Sequence, residues 1–251
     1  MHIELEAIYT IWLREVIRYF REKERIIGSI MQPLLWFLIF GAGLGAAIQF
    51  KGLGIDYLAF VAPGIVTMTL LFSSVFSGVS VIWDREFGFL KEILVAPVSR
   101  ISIVLGKALG GATTAVFQGL IIIALAILFK APISLASVLM MLPLMVLISV
   151  GFVCMGLTIA SLMDTMEGFQ LIMNFLVQPM FFLSGVFFPI NSLPEWIRYL
   201  VYINPMTYAV ESMRAIAINY STLPLFESLL AIGLFSFVML LIASWAFSRR
   251  N

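Results

Sequence analysis

Six stretches of this chain run for more than twenty residues without a charged side chain: 26–50, 57–83, 108–129, 131–163, 168–194 and 228–248. Bilayer hydrocarbon is about 30 Å thick and needs roughly 20 apolar residues per crossing helix. Each stretch is long enough. Backbone in lipid has to satisfy its own hydrogen bonds, which selects helices. A membrane barrel would show short alternating segments, whereas these runs are continuous. Composition agrees: 62% of the 251 residues are apolar and 12% charged, with a mean hydropathy of +1.08. A soluble chain is about half apolar and about a quarter charged. The expected fold is an all-α membrane protein of six transmembrane helices, a single domain over 1–251.

Lys and Arg in short loops set the orientation. Arg14, Arg18, Arg21, Lys23, Arg25, Arg85, Lys91, Arg100, Lys107, Arg249 and Arg250 fall on one side of such a six-span path, and only Lys51, Lys130, Arg198 and Arg214 on the other. Both termini are therefore expected in the cytoplasm. Residues 1–25 are highly charged and lack the short apolar core and cleavage site of a signal peptide, so the first span is expected to stay. As a helix, 1–25 gathers Leu5, Tyr9, Trp12, Leu13, Val16, Ile17 and Phe20 on one face and Arg14, Arg18, Arg21, Glu22 and Arg25 on the opposite one. That pattern predicts a helix in the cytoplasmic interface, lying on membrane lipid. It can be a plain anchor, a partner contact, or both.

Segment 190–222 follows the fifth stretch on the outer side. It is apolar but punctuated by Pro194 and Asn204-Pro205, with Pro189 just before it and Pro224 just after it. It predicts one or two short re-entrant or interfacial helices on the outer face, with Trp196, Tyr199, Tyr202 and Tyr208 at headgroup level.

Several functions are disfavoured by what the chain lacks. The apolar stretches carry no Asp, Glu, Lys or Arg, whereas ion-driven carriers usually keep one. Their polar groups, Gln118, Asn174 and Gln178 among them, are neutral and read as interhelical hydrogen bonds or as substrate contacts. A phosphate-binding loop needs Gly-x-x-x-x-Gly-Lys-Ser/Thr. The near match at Gly106-Lys107 has Ile101 for the first Gly and Ala108 for the Ser/Thr. No Gly-x-Ser-x-Gly is present. The only histidine is His2, and the only cysteine, Cys154, sits in an apolar run as a packing residue. No catalytic or metal site is expected, and a net charge of +1 gives no reason to expect nucleic acid. Gly41/Gly45 and Gly106/Gly110 have the spacing that lets helices approach closely within one subunit.

The loop after the second stretch reads Asp84-Arg85-Glu86-Phe87-Gly88-Phe89-Leu90-Lys91-Glu92-Ile93-Leu94-Val95-Ala96-Pro97-Val98-Ser99-Arg100. Charges crowd its first half, Phe87, Leu90 and Leu94 share a helical face, and Pro97 ends the pattern. A short amphipathic helix over 84–96 is expected at the cytoplasmic surface, either simply interfacial or transmitting force from a soluble partner.

This loop resembles the signature of the ABC type-2 permeases, the membrane subunits of ATP-binding cassette exporters. The pattern Arg-Glu-x-Gly-x-Leu-Glu-x-Leu-x-x-x-Pro-x-x-Arg is met by Arg85, Glu86, Gly88, Leu90, Pro97 and Arg100, with Lys91-Glu92 and Ile93-Leu94 displacing the acidic position and the second leucine by one. The block 182–189 (Phe-Leu-Ser-Gly-Val-Phe-Phe-Pro), then 193–196 and Asn204-Pro205-Met206-Thr207-Tyr208 with Arg214, is similar to the family's fifth span and outer region. Ala62-Pro63-Gly64 also fits. The resemblance implies a dimer of six-span subunits, expected as a homodimer with a paralogue as the alternative mate, each resting on a separate ATPase subunit that binds the ATP and Mg, with no cofactor on this chain. It implies that 84–100, including Asp84, Phe89 and Glu92, couples to the ATPase, with Arg14, Arg18, Arg21 and Arg25 as a second contact. It places Phe182, Ser184, Gly185, Pro189, Pro194, Trp196, Asn204, Pro205 and Tyr208 at an outer gate. The expected function is export of an amphipathic or lipid-linked substrate (drug, lipid or glycolipid/polysaccharide) across a plasma membrane, the wording at 182–185 being closest to permeases for drugs and lipid-linked oligosaccharides. The competing readings are a membrane assembly scaffold and an ion-coupled carrier.

Overall fold

The computed structural model describes residues 4–44, 56–88 and 98–249. These form helices and turns, with no strand among the described residues. α1 (Leu5–Arg21) leads into α2 (Lys23–Trp36), which continues as a π-helix over Phe37–Leu44. α3 (Tyr57–Ser77) and α4 (Val79–Glu86) meet at Gly78. α5 is Arg100–Leu128 and α6 is Leu135–Leu162. α7 (Met166–Ile172) passes through a π turn, Met173–Val177, into α8 (Gln178–Phe182). Two short helices follow, α9 (Glu195–Ile203) and α10 (Pro205–Ile218), before α11 (Leu225–Arg249).

Local chemistry sets these boundaries. Ser99, Ser134, Thr165 and Asn204 each accept a backbone N–H at the start of α5, α6, α7 and α10. Pro205 occupies the first turn of α10, where its missing N–H costs nothing. Asn219 closes α10 in the left-handed conformation, φ 54°.

Among the described residues, four helical segments are long and apolar enough to cross a bilayer: Tyr57–Glu86, Arg100–Leu128, Leu135–Leu162 and Leu225–Ser248. The expected first and fifth spans are also helical, over 23–44 and 166–182, but each is shorter and interrupted by π geometry. The α3–α4 span is the spine. It packs on α5, α6 and α10, and residues 59–71 are all buried. Its crossing with α6 runs backbone to backbone. A Cβ on Gly78 would lie 2.4 Å from the Gly156 carbonyl, and one on Gly156 would lie 2.3 Å from Val75 O. Only glycine fits there, and the close approach gains dispersion contact that lipid cannot offer. Cys154 is fully buried, as expected of a packing residue.

Two boundaries differ from expectation. The helix expected over 84–96 is not continuous: α4 ends at Glu86, and Gly88 turns the chain with φ +77°. Glycine adopts that angle without strain, so Gly88 acts as a stop after α4. The helix that holds the third apolar stretch begins at Arg100, ahead of the expected span start at 108. Lys107, counted above as a loop charge, therefore lies within α5 and is buried, because it has carboxylate partners there.

Candidate functional site

The described structure holds three polar features among its apolar helices. The first joins α1, α4 and α5. The Asp84 carboxylate is 1% exposed and receives Lys107 Nζ at 2.7 Å, Arg18 at 3.5 Å and a short contact from Arg14. Lys107 Nζ also donates to Glu15 at 3.0 Å and Ser80 Oγ at 3.3 Å. A charge buried this far survives only because it is paired and hydrogen-bonded.

α1 reaches the cluster because α5 offers it a flat stripe. A Cβ on Gly106 would touch Ile11, and one on Gly110 would touch Glu15. The paired glycines thus serve packing within the subunit. Trp12 Nε1 donates to Thr113 Oγ1 at 3.0 Å, and Gln118 Nε2 donates to the Tyr19 hydroxyl at 2.8 Å. α1 therefore has three sectors: an α5-facing stripe of Ile8, Ile11, Glu15 and Tyr19, an Arg14/Arg18 edge turned to Asp84, and an exposed apolar strip of Leu5, Tyr9, Ile17 and Phe20.

The expected ATPase-facing residues are divided by this geometry. Asp84 points inward, into the cluster. Arg85 Nη1 donates to Met163 O at 2.7 Å and Asp164 at 3.1 Å, pinning α4 to the α6–α7 turn. Glu86, Phe87 and Gly88 are exposed. Arg100 opens α5 and is half-buried. Phe89, Leu90, Lys91, Glu92, Leu94 and Pro97 lie outside the described residues, as does the Arg25 side chain. Arg14 and Arg18 face Asp84, while Arg21 is exposed.

The second feature ties the 190–222 segment to the bundle; Arg214, counted above as a loop charge, pairs there with Glu211, which the sequence reading did not single out. Glu211 and Arg214, one turn apart on α10, are both 0% exposed and pair at 2.5 Å. Arg214 donates to Phe60 O at 3.2 Å and Gly185 O at 3.0 Å, and its guanidinium sits 3.7 Å over the Phe60 ring. Glu211 accepts the backbone N–H of Thr222 and of Leu223, the latter at 3.2 Å. One pair thus binds α3, the turn after α8, α10 and the entry to α11. The available signal was that no other charge occurs between Arg198 and Glu227.

Of the expected gate residues, only Gly185 has a described hydrogen bond to that pair. Gly185, φ +76°, presents its carbonyl to Arg214, and Val186 packs against Gly64. Ser184 Oγ donates to Phe181 O, and Pro189 precedes a 3-10 turn at Ile190–Ser192. Asn204 Nδ2 reaches Met180 O at 2.6 Å, and Pro205 follows it into α10. The Tyr208 hydroxyl donates to Tyr202 O at 2.7 Å. Phe182, Pro194 and Trp196 are exposed.

The third feature is a cavity of about 460 Å³ between α2, α3, α5 and the 166–182 segment. Five amides reach its wall: Gln32, Gln118, Gln170, Asn174 and Gln178. Thr69 and Ser73 add hydroxyls, and Met68, Phe72, Phe76 and Met173 supply apolar surface. No Asp, Glu, Lys or Arg is among the described residues lining it. The three neutral residues singled out in the sequence, Gln118, Asn174 and Gln178, converge here.

A family profile described as ABC-2 type transporter matches residues 6–218. The inner membrane transport permease YadH of Escherichia coli (strain K12) is 27% identical over 253 residues, covering 100% of this chain and 98% of its own length. The transport permease ycf38 of Porphyra purpurea is 32% identical over 224 residues, 86% of this chain and 74% of its own. Nodulation protein J of Rhizobium meliloti (strain 1021) is 28% identical over 198 residues, 77% and 74% of the two chains.

Proposed function

The chain belongs to the ABC-2 type transporter family and is a membrane permease subunit of an ABC transporter, and from that premise we propose that it exports an amphipathic or lipid-linked substrate using the ATPase of a separate subunit. The substrate path runs through the amide-lined cavity. The permease works as a homodimer of six-span subunits in the plasma membrane, both termini cytoplasmic, with α9 and α10 re-entrant on the outer face. ATP and Mg belong to the partner.

The observation that carries this reading is the Asp84 cluster. The exposed turn at Glu86–Gly88 opens the segment that carries the permease signature. Two residues before that turn, Asp84 fastens the spine to α1 and α5. A push delivered to 86–100 by a closing ATPase dimer then moves three helices as one body. Arg85 carries the same push to the α6–α7 turn and so to the 166–182 wall of the cavity. ATP can shift such an equilibrium only by binding the two states unequally.

The test is reconstitution in proteoliposomes with the ATPase encoded nearest to this gene. Wild type should raise ATP hydrolysis over the ATPase alone. Glu86→Ala and Arg85→Ala should insert normally and lose most of that increment. Full stimulation by both variants contradicts the reading.

A further inference from the structure

We infer that the groove between α1 and the end of α4 binds the phosphate of an anionic phospholipid, with Arg18 and Arg21 as its ligands and Leu13, Ile17 and Phe87 against the glycerol and the first part of the acyl chains. The inference stands apart from the exporter reading and needs only that α1 lies at the membrane surface.

The groove has a volume of about 680 Å³. Its α1 wall runs from Thr10 to Glu22 at helical spacing, so it is one face of that helix. Buried Asp84 and Phe87, which is 71% exposed, complete it from the end of α4. Cations outnumber anions here. Arg14, Arg18 and Arg21 line the groove against Glu22 and Asp84, and Asp84 is shared with Lys107 as well. Lys107 brings its own partner, Glu15, so one positive charge is left over. Arg21 is exposed and makes no ion pair with a described residue. A guanidinium fork matches the paired oxygens of a phosphate. Arg18 is already held by Glu22 at 3.2 Å and by the Trp83 ring at 4.8 Å, so it loses little side-chain freedom when it binds.

The apolar residues say which phosphate. Around α1, Leu13 and Ile17 stand between the arginines and the exposed strip of Leu5, Tyr9 and Phe20. Ile17, 42% exposed, belongs to both the groove and the strip. The groove thus borders the edge of α1 that is built to meet lipid. A phospholipid covers both surfaces at once, its phosphate on the arginines and its chains along the strip. A free phosphate leaves the apolar residues uncovered. The single surplus charge also matches a monoanionic phosphodiester. A zwitterionic head brings an amine cation of its own and cancels that gain.

The experiment releases the full chain from detergent micelles holding equal mole fractions of phosphatidylglycerol and phosphatidylcholine, and counts the lipids it keeps by native mass spectrometry. Wild type is expected to keep phosphatidylglycerol several-fold more often. Arg18→Gln/Arg21→Gln should abolish that preference. Arg21→Gln alone, a change at an exposed side chain that should leave the fold intact, should reduce it. Lys130→Gln, which removes an exposed charge beyond the far end of α5, should leave it unchanged. Excess glycerol phosphate should not displace the lipid. Equal retention of the two lipids, a preference that neither groove variant lowers, or one that Lys130→Gln lowers as much overturns the site. Displacement by glycerol phosphate would make it a site for soluble anions, and overturns it too. So does weaker ATPase binding by Arg21→Gln in nanodiscs of phosphatidylcholine alone, which would assign the groove to a protein partner.

Discussion

At the scale of single residues, buried charge is the most consequential chemistry in this chain. Glu211 and Arg214 are held away from water by pairing with each other and by hydrogen bonds to backbone groups at Phe60, Gly185 and Thr222–Leu223. Arg214→Gln or Glu211→Gln alone leaves an uncompensated charge, a loss of about 3–5 kcal/mol in comparable buried pairs. Each single variant is expected to lower the thermal unfolding midpoint in a given detergent, and an Arg214→Met/Glu211→Leu double variant to recover part of the loss. Midpoints equal to wild type for both single variants would show that the pair holds nothing together. Asp84→Asn is a different experiment on the same principle. It leaves Arg14, Arg18 and Lys107 facing one another around a neutral amide, so α1 should loosen. Maleimide labelling of Ile11→Cys, which faces Gly106 in the folded chain, should then be several-fold faster than in the Asp84 parent.

At the scale of elements, close approach decides what docks. α1 lies on α5 because Gly106 and Gly110 leave room, so Gly106→Leu should displace it without changing any charge. The same Ile11→Cys reporter reads the effect, and unchanged labelling would contradict the packing account. Gly78→Leu and Gly156→Leu place side chains where backbone already stands at 2.3–2.4 Å. Overpacking of this kind is relieved only by moving whole helices, and both variants are expected to lose folded, detergent-extractable protein. Much of this level was legible in advance. The long apolar runs gave the helices, Asn204-Pro205 marked the break between α9 and α10, and the paired glycines marked a docking stripe. What eluded the sequence was direction. Gly88 reads as one more position in an amphipathic pattern until its positive φ ends α4, and Lys107 reads as a loop charge until two carboxylate-bearing helix faces, Glu15 of α1 and Asp84 of α4, meet around it. Period and composition report which residues share a face, not which distant faces turn toward one another.

At the scale of the whole molecule, the polar features form one chain of contacts. The exposed turn at Glu86–Gly88 leads to Asp84, Asp84 to α1, and α1 through Tyr19 to Gln118 on the cavity wall. The Glu211–Arg214 staple holds the other end of the spine at Phe60. The family was legible because its signature lies in one contiguous loop. The cavity was not, since its amides come from α2, α5 and 166–182 and their convergence exists only in the folded chain. A permease built this way has no use for energy until something grips the 86–100 segment. The decisive measurement is co-purification, in detergent, with the ATPase encoded nearest to this gene, using wild type and a Glu86→Arg/Lys91→Glu variant that leaves Asp84 and Arg85 in place. A complex with wild type that the charge-reversed variant weakens is the expected result. Failure of any ATPase to bind wild type, or equal binding by both, would contradict the claim that this segment is where the permease receives its energy.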